Sequence, residues 1–236
     1  MELPGTLPSH ALARHRYCLF TCILHRPVTA IARMSKPIRQ AGLFEALPDL
    51  PEGCTYRADV IDSREEQDLA AQCAGFALKP FEFRGFLGLR RVIQFGWRYD
   101  FNGGGLQAAG PMPDVLLPLR ERAASIAGLD AADLVQVLVS EYAPGAGIGW
   151  HRDRPQFGTV IGVSLLAPCT LRFRRKSGAR WQRASFIAQP RSAYVLTGAA
   201  REQWEHSIPA LDALRYSVTF RTLRVDAAAP SRQRRP

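Results

Sequence analysis

Nothing in the chain approaches the roughly 18 consecutive apolar residues of a membrane-spanning helix. Its longest apolar stretch, Tyr17–Leu24, has eight residues between an arginine and a histidine, so the sequence predicts no membrane partner. Cysteine is scarce: Cys18, Cys22, Cys54, Cys73 and Cys169 are odd in number and include no C-x-x-C. That argues against a disulfide framework. Cys18 and Cys22 form a C-x3-C, but no second ligand pair follows at zinc-finger spacing, and free thiols in a reducing cytoplasm are the expectation. Histidine is scarce as well. Three of the five, His10, His15 and His25, lie in the first 33 residues, leaving His151 and His206 for the rest. No internal repeat is present.

Acidic residues are nearly missing from both ends. Residues 1–33 carry four arginines and one glutamate, and residues 225–236 three arginines and one aspartate. Of the formal charge of +10, only +5 belongs to residues 34–224. A mildly basic body suits an anionic partner such as nucleic acid without demanding one. The leader has no sustained helical or strand period; it reads as a disordered or transit-like segment, or as a start placed too early with Met34 as the true beginning. The tail AAAPSRQRRP has the composition of a disordered segment. One domain is expected between them, over residues 34–224.

Within it, Ser63-Arg64-Glu65-Glu66 is a capping-box pattern that opens a helix carrying Leu69, Ala70 and Cys73. A second helix is expected over Asp114–Ala127, with Pro118 in its first turn and Gly128 as its cap. From Leu134 onward the signal changes to short β-branched and aromatic runs broken by Gly and Pro: LVQVLVSEY, TVIGVSLL, TLRFR, SAYVL and RYSVTFR. Helices followed by such strands predict an α+β protein, with helices buttressing an antiparallel sandwich or jelly roll.

His151-Arg152-Asp153 places two metal-binding side chains two residues apart, on one side of an extended chain. With His206 as a third donor it makes a two-histidine, one-carboxylate set, which suits non-haem Fe(II) with open positions. Alone, H-x-D is also a common surface pair. The last strand adds a second signal: a period of two puts Arg215, Ser217, Thr219 and Arg221 on one face and Tyr216, Val218 and Phe220 on the other. Arginines facing a sandwich interior need an anionic partner, and a dicarboxylate cosubstrate would supply one through a forked pair. An edge strand with its arginines in solvent is the other reading.

Over residues 54–224 the sequence resembles the AlkB family of Fe(II)- and 2-oxoglutarate-dependent dioxygenases. The matching stretches are Tyr142-Ala-Pro-Gly145 leading to His151-Arg-Asp153, then Val163-Ser-Leu-Leu166, Pro190–Arg201 with Trp204 and His206, and Arg215–Arg221. The resemblance implies a double-stranded β-helix, or jelly-roll, core. It implies that His151, Asp153 and His206 ligate iron, that Arg215 pairs with the distal carboxylate of 2-oxoglutarate, and that Tyr142 hydrogen-bonds it. Arg221 would sit by its keto-acid end and Asp153. Where the family often has asparagine, this chain has Ser140 and Ser217. The implied reaction consumes 2-oxoglutarate and O2, yields succinate and CO2, and hydroxylates an N-methyl group that then leaves as formaldehyde.

Residues 81–101 interleave Arg84, Arg90, Arg91 and Arg98 with seven aromatic residues, Trp97 among them. That is the composition of a lid over a methylated DNA or RNA base, and the family's substrate lid falls here. Buried strand aromatics with snorkelling arginines would read the same. A methylated or hydroxylatable protein side chain as substrate, and a non-catalytic jelly-roll binding module, are the alternatives. A cytoplasmic monomer is expected.

Overall fold

The computed structural model describes residues 50–83, 85–100 and 105–224. The expected leader and tail, Cys18, Cys22 and Arg84 lie outside the described residues. Two antiparallel sheets form the body. The larger has seven strands in the order β1 (Cys54–Arg57), β11 (Ala193–Leu196), β8 (Phe157–Leu165), β13 (Arg215–Leu223), β6 (Gln136–Tyr142), β3 (Phe86–Phe95), β2 (Lys79–Phe83). The smaller runs β10 (Arg180–Ala188), β9 (Cys169–Ser177), β12 (Glu205–Ile208), β7 (Ile148–His151). A short hairpin joins β4 (Trp97–Tyr99) to β5 (Leu106–Ala108).

The alternation in β13 divides the molecule. Tyr216, Val218 and Phe220 face a cluster that includes Leu69 and Cys73 of α1 (Ser63–Gly75) and Leu119 and Ala123 of α2 (Leu117–Ala127). The facing residues of β6 and β8, Val137, Val139, Ile161, Val163 and Leu165, belong to the same cluster. Each such burial contributes about 1.5–3 kcal/mol, so Phe220→Ala, at 0% exposure, should cost about 3–5 kcal/mol. The other side of the sheet meets the smaller sheet through Leu171, Phe173, Phe186, Tyr194 and Ile208. Gly162 allows this second core to close: a methyl group there would come within 2.3 Å of the Tyr194 ring, so the ring can lie against β8 only where β8 has no side chain.

Three sequence expectations need correction. The cap of α1 is Asp62, one residue before Ser63: its carboxylate accepts from the backbone N–H groups of Arg64 and Glu65, and Glu65 accepts from Asp62 N–H. An aspartate at the N-cap with glutamate three residues on satisfies the same box chemistry. The second helix is a 3-10 turn, Asp114–Leu116, followed by α2, with Pro118 at its start and Gly128 capping it at φ 65°. Strands also occur before and between the helices: β1 precedes α1, and β2–β5 lie between α1 and α2. β2 and β3 extend the larger sheet beyond β6.

Candidate metal and cosubstrate centre

β12 pairs with β7 so that His206 lies opposite His151. Both imidazoles line the space between the sheets, with ring centroids 4.2 Å apart. Asp153 follows in the loop after β7, so the extended i, i+2 geometry expected for H-x-D stops at the strand end. The loop is held by Arg201 of α3 (Gly198–Glu202), which donates from Nε to Gly158 O at 3.1 Å and from Nη2 to Phe157 O at 2.8 Å and to Arg154 O. Asp153 Oδ1 accepts from Arg221 Nη2 at 2.9 Å, and Oδ2 lies 3.8 Å from His206 Nε2.

The electrostatics suit a cation. Burial pushes His206 down to about 3, with the neighbouring His151 adding to the effect. Burial likewise lowers His151, so both rings are neutral near pH 7. Burial would raise the Asp153 carboxyl, but Arg221 first, with the two histidines where acid protonates them and with Arg201, holds it well below the usual carboxylate range. His151 Nδ1 lies 2.9 Å from Gly149 O. With the proton placed on Nδ1 to make that bond, Nε2 keeps a free lone pair. Two neutral imidazoles and one carboxylate are the donor set for Fe(II). Among the described residues no group of three or more such side chains is closed around a metal-sized gap, so the fit rests on donor chemistry and charge.

Beyond the histidines the cavity face of the larger sheet is polar. Arg215, opposite Tyr142 in the β13–β6 register, is 0% exposed. Its Nη2 donates to Ser164 Oγ at 2.8 Å, its guanidinium carbon lies 5.2 Å from the Tyr142 ring centroid, and Nε and Nη1 have no hydrogen-bond partner. A buried guanidinium with two idle donors fits a bound carboxylate. Arg221 donates from Nη1 to Gln136 Oε1 at 2.9 Å as well as to Asp153. Ser140 and Ser217 pair across β6 and β13 and line the same cleft.

The expected substrate residues divide. Arg90 enters the cleft: it is 8% exposed, its guanidinium lies 4.7 Å from the Phe81 ring centroid, and Nη1 donates to Tyr142 OH at 3.5 Å. Arg91, its neighbour in the strand, makes a forked pair with Glu141 at 2.7 and 2.8 Å. Glu141 also accepts from Tyr216 OH at 2.9 Å, on the helix side of the sheet. Trp97 and Arg98 sit on the β4–β5 hairpin, where Arg98 donates to Gln107 at 2.7 Å. The Arg154 guanidinium, just past Asp153, lies 4.4 Å from the Tyr99 ring centroid of that hairpin. A wider hollow of about 560 Å³ at the start of α1 shares no residue with the cleft, and its Arg122 is already paired with Glu65.

Sequence reasoning missed Gln136, and it noted Tyr194 and Arg201 only within the Pro190–Arg201 stretch, without a role for either. The signal for Gln136 was a polar residue in phase with Ser140 and Tyr142 in an otherwise apolar strand; for Tyr194, it was Gly162 on its partner strand.

A jelly roll whose interior presents two neutral imidazoles, a carboxylate and an under-partnered buried arginine has the architecture of a metal-dependent oxygenase with an anionic cosubstrate. Comparison with known proteins agrees. Residues 99–224 match the 2OG-Fe(II) oxygenase superfamily, and the chain belongs to that family. It is AlkB-like: it is 28% identical over 177 residues to the Arabidopsis thaliana "Alkylated DNA repair protein ALKBH8 homolog", covering 64% of this chain and 49% of that one. A protein of Acanthamoeba polyphaga mimivirus, L905, is 34% identical over 76 residues, 31% of this chain and 36% of its own length. The chain therefore spans about half the length, or less, of the curated relatives it matches.

Among solved structures, OsALKBH1 superposes with a TM-score of 0.56 at 15% identity, covering 73% of this chain and 97% of that one. A Pseudomonas putida prolyl-4-hydroxylase superposes at 0.53 and 13%, covering 73% and 93%. These two likenesses establish the fold. Family membership makes the matched domain that of a 2-oxoglutarate-dependent oxygenase, with Fe(II) as cofactor and 2-oxoglutarate and O2 as cosubstrates. No helix among the described residues is long and apolar enough to cross a membrane.

Proposed function

We propose that the chain is an oxidative demethylase acting on N-methyl groups of nucleic-acid bases, with His151, Asp153 and His206 as the iron ligands and Arg215 as the anchor for 2-oxoglutarate. The observation that carries the cosubstrate assignment is the buried Arg215 side chain with Nε and Nη1 idle, on the sheet face that also lines the His–Asp–His cleft. When bound, iron with 2-oxoglutarate and O2 supplies the oxidation that hydroxylates a substrate C–H, leaving succinate and CO2.

The chain's own residues position and insulate that chemistry. Arg221 holds Asp153 as a charged, oriented acceptor through one oxygen, which leaves the second for the metal. The Gly149 carbonyl fixes the His151 ring. Tyr142 and Tyr194 wall the cosubstrate end with buried aromatic surface, which excludes water. Arg90, a cation that lines the cleft and packs on the Phe81 ring, would meet the phosphate of a nucleotide whose base enters the cleft. The base must be single-stranded or flipped out, because a stacked one cannot reach the cavity.

Support for the nucleic-acid substrate comes from Arg90 in the cleft, the aromatic and basic β4–β5 hairpin, and the similarity to a protein named for alkylated DNA repair. The pairing of Arg91 with Glu141 leaves fewer free cations for phosphates, which favours a protein side chain as the rival. The test is formaldehyde and succinate release with Fe(II) and 2-oxoglutarate, comparing methylated single-stranded DNA and RNA with methylated peptides. Turnover of a peptide and of no oligonucleotide would select the rival.

A further inference from the structure

The outward face of the smaller sheet carries a pattern that the centre does not use. Along β9, Arg172, Arg174 and Lys176 alternate with the inward Leu171 and Phe173. Along β10, Trp181 and Arg183 point the same way, because Trp181 lies opposite Lys176 and Arg183 opposite Arg174. The Arg174 guanidinium carbon sits 4.5 Å from the Trp150 ring centroid and 4.6 Å from that of Trp181, and the Arg172 carbon 5.2 Å from Trp150. Arginine and tryptophan thus interleave across β7, β9 and β10. The carboxylate present, Glu205, is paired with Arg174 at 2.6 Å. The Lys176 and Arg183 side chains are exposed and make no hydrogen bond or ion pair with a described residue.

The fold gains from Arg174, through Glu205 and the two indoles, but not from Lys176 and Arg183. Like charges directly opposite on neighbouring strands, as at Arg174 and Arg183, are destabilising. Trp181 leaves 41% of its surface in water. An isolated exposed tryptophan is ordinary. One in a ladder of cations with a single acid is what a polyanion with flat aromatic groups would match: phosphates on Lys176 and Arg183, and a base on the open indole.

We infer that this outer sheet face is a second nucleic-acid docking surface, which binds the strand outside the catalytic cleft through phosphate contacts and stacking. The inference rests on the nucleic-acid reading above and deepens it. β7, which contributes Trp150 to the face, also carries His151 into the cleft and is the edge strand of its sheet. The face therefore runs from the β9–β10 edge across to the element that carries His151.

The test measures binding apart from chemistry, using the full chain and an unmethylated poly(dT) strand titrated across salt concentrations. Lys176→Glu with Arg183→Glu should raise the dissociation constant at least tenfold at low salt. It should also flatten the log–log salt dependence by about 1.4, two contacts at about 0.7 each. Trp181→Ala should weaken binding about tenfold with the salt slope unchanged, since stacking carries no charge. Lys176→Arg with Arg183→Lys should bind like the parent. Succinate release without nucleic acid should be unaltered in all of these variants, which shows that the centre and fold are intact. An unchanged dissociation constant and slope in the charge-reversed protein would overturn the inference, even if methylated oligonucleotides are turned over. Binding to phosphatidylserine vesicles that is lost on charge reversal while poly(dT) binding persists would overturn it in favour of a membrane surface. If poly(dT) binding responds as expected but no methylated oligonucleotide yields formaldehyde, the docking face stands and the demethylase reading fails.

Discussion

Replacing Arg215 with methionine separates the cost of a buried charge from its use. In the structure the guanidinium is fully buried, makes one side-chain hydrogen bond, to Ser164, and leaves Nε and Nη1 idle. Methionine keeps an unbranched chain of similar reach and has no donors. Exchanging a buried ionic group for an apolar one of similar size is often neutral or stabilising by about 1–4 kcal/mol. The ligand-free variant should therefore melt at or a few degrees above the parent. With 2-oxoglutarate present the order should reverse. A charge-assisted hydrogen bond contributes about 1.5–3 kcal/mol, so its loss should raise KM for 2-oxoglutarate about ten- to a hundredfold. At a hundred times its Kd a ligand stabilises by about 2.7 kcal/mol, which is about 5–10 °C for a domain of this size. The parent with Mn(II) should show that shift, and the variant at the same concentration, now at about one to ten times its own Kd, should keep only about 0.4–1.4 kcal/mol of it, about 1–6 °C. Arg215→Lys should recover part of it, since lysine supplies the charge without the fork. The assays are succinate release against cosubstrate concentration and thermal melts with and without cosubstrate. An unchanged KM, or a methionine variant that melts well below the parent before any ligand is added, would refute the reasoning.

Asp153→Ala and His206→Ala should each abolish Mn(II) binding, read by electron paramagnetic resonance, and abolish turnover; metal retained by the Asp153 variant would remove that residue from the ligand set. Arg201→Ala leaves the carbonyls of Arg154, Phe157 and Gly158 without their donor, a loss of about 2–3 kcal/mol for bonds to a charged group. The melt should fall about 5–10 °C, and Mn(II) affinity should drop because the Asp153 loop is no longer held; an unchanged metal affinity would make Arg201 purely structural. Glu141 is held below its usual 4.5, first by its bond to Arg91 and then by Tyr216 and the Arg91 charge. A depressed carboxyl stabilises the fold above its unfolded value and loses that contribution as pH falls through the folded one. Glu141→Gln should therefore flatten the stability profile below about pH 4.5, a modest effect because Arg91 is half-exposed; parallel profiles for variant and parent would contradict it.

The strand faces were legible because their period is local. In β13 the alternation of Arg215, Ser217, Thr219 and Arg221 with Tyr216, Val218 and Phe220 is written in seven consecutive residues, and packing obeys it. The same holds for Gly128, the cap glycine of α2. What sequence alone left open was every relation between distant segments. Arg90 and Arg91 look alike in a basic, aromatic run, yet β3 pairs with β6 in a register that sends Arg90 to Tyr142 in the cleft and Arg91 to Glu141 on the helix side. β7 and β12 are four residues each, too short to show a period, and it is their pairing that sets His206 opposite His151. Arg201 reaches the Asp153 loop, and Arg174 comes to lie between two tryptophans, only because strands and turns far apart in the chain are hydrogen-bonded side by side. Side-chain direction along a strand follows from chirality and pleat, which any short segment possesses; which strand lies beside it is decided by the burial and pairing of the whole chain.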